Sequence, residues 1–273
     1  DLHFTIHSFP TPRSSDLPNG AGKSTTIRTL LNLIFPTSGS AKIFGLDIIK
    51  DSPEIKMRTG YLPAEGNYYH EMSVRELFDY SVSFFQIEDY HSRLNYLAGA
   101  FDLDLKRNIR DLSTGNKKKV SIIQSLLHSP ELLILDEPTS GLDPLVQSTF
   151  YEILREENRS GATIFFSSHV LSEVQKICSR VGIIRNGEII KVESIDNLRK
   201  NLLKRIRIVF KNGLPEDFDP PGAINNENNS NSAHFMFEGD LNELITYINN
   251  FEIENLLIED PTLEEIFLHF YKD

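Results

Sequence analysis

An α/β fold on a mostly parallel sheet, with helices on both faces, is what this sequence predicts, and three observations predict it. Residues 132–135 are an unbroken apolar run, the mark of a strand buried on both faces of a parallel sheet. A glycine-rich turn ending at Gly22-Lys23 leads into a stretch with apolar residues at Ile27, Leu30, Leu31 and Ile34, the spacing of a helix packed on a sheet. Residues 181–190 read as strand, turn and strand, because Asn186-Gly187 is a strong hairpin signal.

The glycine-rich turn, Pro18-Asn19-Gly20-Ala21-Gly22-Lys23-Ser24-Thr25, has the makings of a phosphate cradle. Gly20 and Gly22 let the backbone curl so that successive N–H groups and a helix N-terminus face an anion, while Lys23 reaches the outer phosphates. Ser24 is the expected Mg²⁺ hydroxyl ligand. The full motif wants glycine five residues before Gly22, where this chain has Leu17. The apolar run from 132 ends in Asp136 and Glu137, and catalytic groups commonly sit at such strand ends. Asp136 is placed to hold Mg²⁺ through its water shell, and Glu137 to polarise the water attacking a γ-phosphate. Two solvated acids at a strand-to-turn junction are the plainer alternative.

Leu112-Ser113-Thr114-Gly115-Asn116, then residues 133–144, then His169 resemble the ATPase domain of an ATP-binding cassette (ABC) transporter. The resemblance implies a P-loop NTPase-type sheet, ATP and Mg²⁺ as cofactors, and ATP hydrolysis as the activity. The family signature is usually Leu-Ser-Gly-Gly-Gln, so Thr114 and Asn116 depart from it while Ser113 and Gly115 are kept. By the same resemblance Asp143 communicates across a dimer and His169 is the switch histidine that bonds the γ-phosphate. The signature opens a helix expected over 117–128, whose positive end faces the phosphate held by the opposite subunit. A homodimer, or a pair with a related ATPase, follows. A separate membrane permease is the implied partner, with export as the implied direction.

The element that couples the cradle to the signature normally carries a glutamine, and Ala64 occupies that position. Either Glu65 substitutes for it or the stretch is a plain loop. Ser73-Val74-Arg75-Glu76 is a capping box that starts a helix through Leu77, Tyr80 and Phe84, and a further helical stretch lies near 94–101. This is the helical subdomain, about 72–128. By the same resemblance this subdomain and the coupling loop touch the membrane partner, which would give Tyr68, Tyr69, Phe84 and Phe85 that role; the alternative is that they are simply core.

Residues 1–17 do not fit the family pattern, which places two or three strands and an adenine-stacking aromatic before the cradle. Residues 8–17 closely resemble the in-frame translation of a common DNA-sequencing adapter, with one mismatch at Pro12. The expectation is a non-native leader over 1–17, with an unpaired sheet edge and weak ATPase activity in the chain as written; a natural polar leader is the alternative. His3 and His7 share helical spacing, but without further ligands they make no metal site.

The chain has 273 residues, net charge −11 and 40% hydrophobic residues, enough for one large domain and a small one. A single cysteine, Cys178, excludes an internal disulfide framework, and its surroundings suggest a buried helix position. No apolar stretch approaches the roughly 18 to 20 residues of a membrane span, so the expected location is cytoplasmic, peripheral on the inner face of the cell membrane. The negative charge argues against nucleic acid as a partner, and the basic run Lys117-Lys118-Lys119 is expected to be solvated or to face the dimer partner.

The ATPase domain is expected over 18–200 and a C-terminal α+β extension over 201–273. Strands are read at 205–210, 233–238 and 253–258, with a loop over 213–232. A helix capped by Asp240 follows the second strand, and another opens with Thr262-Leu263-Glu264-Glu265. Two further classes stand beside the transporter reading. A non-hydrolysing regulatory module fits Leu17 and Ala64, but not the joint presence of Lys23, Asp136, Glu137 and His169. A soluble, non-transport ABC ATPase would need a tandem cassette, a coiled-coil insertion or a basic surface, none of which the sequence carries.

Overall fold

A computed structural model of the chain describes residues 4–7, 21–66, 68–85, 87, 89–168, 170–200 and 203–261. Asn19, Gly20, His169, the adapter-like segment and the helix expected from Thr262 lie outside the described residues. Among the described residues two compact units form, Asp1–Val192 and Glu193–Asp273.

The first unit begins with β1 (Phe4–His7), α1 (Lys23–Leu30), a small ribbon of β2 (Lys42–Ile43) and β3 (Leu46–Asp47), α2 (Ser52–Met57) and β4 (Thr59–Leu62). Two helices, α3 (Val74–Val82) and α4 (His91–Ala100), precede the long α5 (Thr114–Leu126). Then come β5 (Leu132–Asp136), α6 (Pro144–Arg159), β6 (Thr163–Ser168), α7 (Leu171–Ile177), β7 (Arg180–Arg185) and β8 (Glu188–Ser194).

Six strands form one sheet in the order β4-β5-β6-β1-β7-β8. From β4 to β7 every pairing is parallel. The edges of this sheet lie at β4 and β8, and not beside the central strands. β1, drawn from the segment the sequence sets apart as a leader, pairs on one side with β6 (Phe4 opposite Phe165) and on the other with β7 (Phe4 opposite Arg180), so the backbone groups of both neighbours are met. At the far end the chain turns through Asn186 (φ 51°) and Gly187 (φ 82°), both left-handed as the Asn-Gly hairpin requires.

All five residues of β5 are buried. Leu132 and Ile134 pack with Ile27 of α1 and Leu31, its C-cap, on one face of the sheet, so Leu133 and Leu135 point to the other. Burial on both faces explains why this strand reads as an apolar run with no alternation. The predicted capping box is present: Ser73 Oγ accepts from the Glu76 N–H at 3.3 Å, and the Glu76 carboxylate accepts from the Ser73 N–H at 2.7 Å. α3 ends at Val82, so Phe84 lies beyond it, and Cys178 is buried but caps α7 in extended geometry.

The second unit carries α8 (Ile195–Lys200), β9 (Leu203–Phe210), β10 (Ala223–Asn228), β11 (Ser232–Glu238), α9 (Leu241–Ile248) and β12 (Ile253–Glu259). Its sheet runs β10-β11-β9-β12, with Ile206, Ile208, Phe235 and Phe237 packed against Leu244 and Ile248 of α9. The loop expected over 213–232 contains β10, an Asn-rich edge strand whose composition says loop and whose pairing with β11 makes it a strand.

Candidate functional site

The candidate site gathers at the C-terminal ends of the parallel strands and the N-terminus of α1. Gly22 caps α1 at φ 99°, a conformation that L side chains rarely adopt. A Cβ there would sit 3.3 Å from Gly187 Cα and 3.5 Å from Ile184 Cδ1, and the Gly187 N–H donates to the Ala21 carbonyl at 3.0 Å. The end of the cradle is therefore pinned against the turn between β7 and β8. Lys23, only 8% exposed, opens the helix, and its Nζ lies 3.2 Å from Glu137 Oε1. Ser24 is half-buried beside it and Thr25 is exposed.

β5 delivers Asp136, 2% exposed, whose Oδ1 accepts from the Ser167 hydroxyl at 2.5 Å. Glu137 follows at φ 47°, a left-handed conformation that costs a non-glycine residue on the order of 1–3 kcal/mol. Its N–H donates to the Ser167 carbonyl at 3.0 Å, and its carbonyl accepts from Lys118 Nζ at 3.4 Å. Both backbone polar groups of the strained residue are thus tied, one to β6 and one to α5. Burial, with the Asp136 charge adding to it, pushes the Tyr61 phenol up.

α5 begins earlier than expected, at Thr114, because Ser113 caps it: Ser113 Oγ accepts from the Asn116 N–H at 3.3 Å. Ser113 and Thr114 are exposed, and a Cβ on Gly115 would be 3.8 Å from the Gly141 carbonyl, so the signature abuts the turn before α6. Asp143 caps α6, accepting from the Leu145 and Val146 N–H groups at 3.0 Å. Glu65 is exposed. Tyr69 and Phe84 are 57% and 58% exposed and each stacks edge-on with Tyr80, which excludes the simple core reading for these two.

One lysine of the basic run departs from its expectation. Lys118 is 7% exposed, and its ammonium donates to the carbonyls of Pro63 (3.3 Å), Ala64 (3.2 Å) and Glu137 (3.4 Å). Burial lowers its pKa to about 8, against the opposing pull of Asp136 and Glu137. A lysine in a basic triplet reads as solvated. The signal to the contrary is that Lys118 precedes the buried Ile122 and Leu126 by four and eight residues, on one helical stripe. Ser167, which orients Asp136, carries no local signal of that role, because its partner lies 31 residues away.

A helix N-terminus presenting a lysine, set against buried and strained carboxylates at the end of a parallel strand, defines a nucleotide-hydrolysing α/β domain. Residues 18–140 match the ABC transporter family. The chain is 32% identical over 269 residues to the bacitracin transport ATP-binding protein BcrA of Bacillus licheniformis, covering 92% of this chain and 85% of BcrA. It is also 32% identical to an uncharacterised ABC transporter ATP-binding protein of Synechocystis, over 92% of this chain and 72% of that one. A solved structure of the ATP-binding subunit of an ABC transporter superposes with TM-score 0.67 at 28% identity, covering 73% of this chain and 81% of that one. The chain belongs to the ABC transporter family, as an ATP-binding, ATP-hydrolysing subunit.

Proposed function

We propose that this subunit powers export through a separately encoded membrane permease, docked on the cytoplasmic face of the cell membrane and working as a dimer. The observation that carries the reading is the Lys23–Glu137 ion pair beside buried Asp136, which sets a phosphate-binding cation and a candidate base within one ion-pair distance. Asn19, Gly20, Ala21, Gly22, Lys23, Ser24 and Thr25 form the cradle. The helix N-terminus and Lys23 hold the outer phosphates, and a γ-phosphate drawing Lys23 toward itself releases Glu137 to orient water. His169 contacts that phosphate.

Ser24 and Asp136 are the residues that would hold Mg²⁺. They fit it, being hard oxygen donors, one a half-buried hydroxyl and the other a buried carboxylate already oriented by Ser167. Bound there, the ion would supply positive charge to offset the charge developing on the transferring phosphoryl group.

Exposed Ser113, with Gly115 and Asp143, completes the site of a second copy, so one ATP is sandwiched between two chains. Hydrolysis removes the charge that bridges them, and the dimer reopens. No helix among the described residues is long and apolar enough to cross a membrane, so the conduit is assigned to another polypeptide, with exposed Tyr69, Tyr80 and Phe84 toward it. Export follows the relatives, among them a Nod factor export ATP-binding protein. Glu137→Gln tests the assignment: it binds MgATP and dimerises but turns over very slowly, and wild-type turnover would refute the base. In the second unit no catalytic role is assigned; it supports the dimer or regulates it.

A further inference from the structure

We propose that Lys118 is a positioning residue that ties the loop at Pro63 and Ala64 to the backbone of Glu137, so that movement of the loop reaches the base without any side chain at position 64. The inference rests on the reading of Glu137 as the base.

Three features carry it. An ammonium has three N–H donors, and Lys118 aims them at three main-chain carbonyls from two separate segments, 3.2 to 3.4 Å away. The amine is nearly excluded from water, so these contacts do not compete with solvation as an exposed lysine's would. One of the three carbonyls belongs to Glu137, whose left-handed φ persists only because its surroundings over-determine it. The N–H of Glu137 is held by Ser167, and its carbonyl accepts both from the Ser140 N–H within its own turn and from Lys118, each at 3.4 Å, so Lys118 is the contact to that carbonyl that comes from α5.

The loop itself is already fastened to α5 at a second point. The Tyr68 hydroxyl donates to the Lys117 carbonyl at 2.8 Å and lies 2.7 Å from Ser121 Oγ. A Cβ on Gly66 would meet the Tyr68 hydroxyl at 2.5 Å and Ser121 Oγ at 2.8 Å, so the intervening loop has no slack there. Loop and helix therefore move together, and Lys118 is the point at which that joint motion meets the base. Ala64 presents only a methyl group, so a coupling role at this position passes to the main chain.

Lys118→Met removes the ammonium and keeps the aliphatic stem, whereas Lys118→Arg keeps the charge and the donors. With the full chain, Lys118→Met is expected to lower kcat by about ten- to a hundred-fold. Binding of a fluorescent ATP analogue stays near the wild-type value, and Lys118→Arg recovers most of the turnover. Unchanged kcat in Lys118→Met overturns the inference, as does a parallel loss of affinity and turnover that arginine does not rescue. If Lys118→Met does not fold, amide hydrogen exchange of the unaltered chain with and without MgATP decides. Joint changes in residues 63–66 and 137–140 support the link, and a change in one segment alone, or in neither, overturns it. Glu137→Gln run in parallel separates the two readings. Full turnover there refutes the base itself, whereas an inactive Glu137→Gln beside a fully active Lys118→Met refutes only the link.

Discussion

Replacing Gly60 with alanine tests the packing of the site more sharply than any change to the site residues themselves. Gly60 is buried in β4, directly under α5, and an added Cβ would stand 2.1 Å from the Ser125 carbonyl oxygen and 2.9 Å from Leu133 Cδ2 and Pro130 Cγ. Carbon and oxygen normally meet at roughly 3.3 Å, so α5 and β4 must part by about 1.2 Å. The nearest obstacle is main chain and has no rotamer to change. Overpacking of this kind costs about 3 kcal/mol, the upper end of the usual range. For a unit of this size that is a loss of about 6–12 °C in Tm.

Gly99→Ala is the matched control. It lies inside α4 with nothing within 4 Å of the added Cβ, so the same chemical change there raises stability by about 0.5–1 kcal/mol. Thermal melts of the three proteins by circular dichroism read both effects. Because α5 carries Ser113 and Lys118, ATP turnover of Gly60→Ala should fall with its stability. A Gly60→Ala melt within about 2 °C of wild type would refute the reasoning, since it would mean that the helix and strand separate at almost no cost.

Three further outcomes follow from the same geometry. Lys23→Ala removes the cation at the start of α1, and equilibrium binding should show loss of MgATP affinity rather than of turnover alone; retained affinity would exclude Lys23 from phosphate binding. Arg93 donates to the Leu126 carbonyl at 2.9 Å and to the Glu157 carboxylate at 2.8 Å, tying α4 to α5 and α6, so Arg93→Met should cost about 1–3 kcal/mol in urea unfolding. The Ser73 N–H, and then its hydroxyl, hold the Glu76 carboxyl below its ordinary value. This cap is fully present above the ordinary carboxylate range and is lost as pH falls through the depressed value. Amide protection in the first turn of α3 should drop across that acid window in wild type and show no such step in Glu76→Gln, which has no carboxylate to titrate.

Much of the site was legible because its signals are local. Gly22-Lys23 marks a left-handed cap followed by a helix, and the apolar run ending at Asp136 marks a doubly buried strand. Ser73 with Glu76, Asp240 and Asn186-Gly187 each specify a cap or a turn through bonds that span four residues or fewer. Less legible were the features that depend on what lies opposite. β10 is polar over its last four residues, Asn225–Asn228, and is a strand because β11 offers it a ladder. The residues of β1 carry no signal that sets them between β6 and β7.

By itself, then, the sequence determined the class of the protein through its motifs, the doubly buried strand that ends at Asp136, and the helix caps at Ser73 and Asp240, since these rest on an uninterrupted apolar run and on hydrogen bonds between near neighbours. Tertiary structure decided the strand order, the need for glycine at position 60, and the fate of Lys118, whose ammonium is buried because the carbonyls of Pro63, Ala64 and Glu137 converge on it. Those three carbonyls lie 54 to 55 residues before Lys118 and 19 after it, and only folding brings them within reach of one amine.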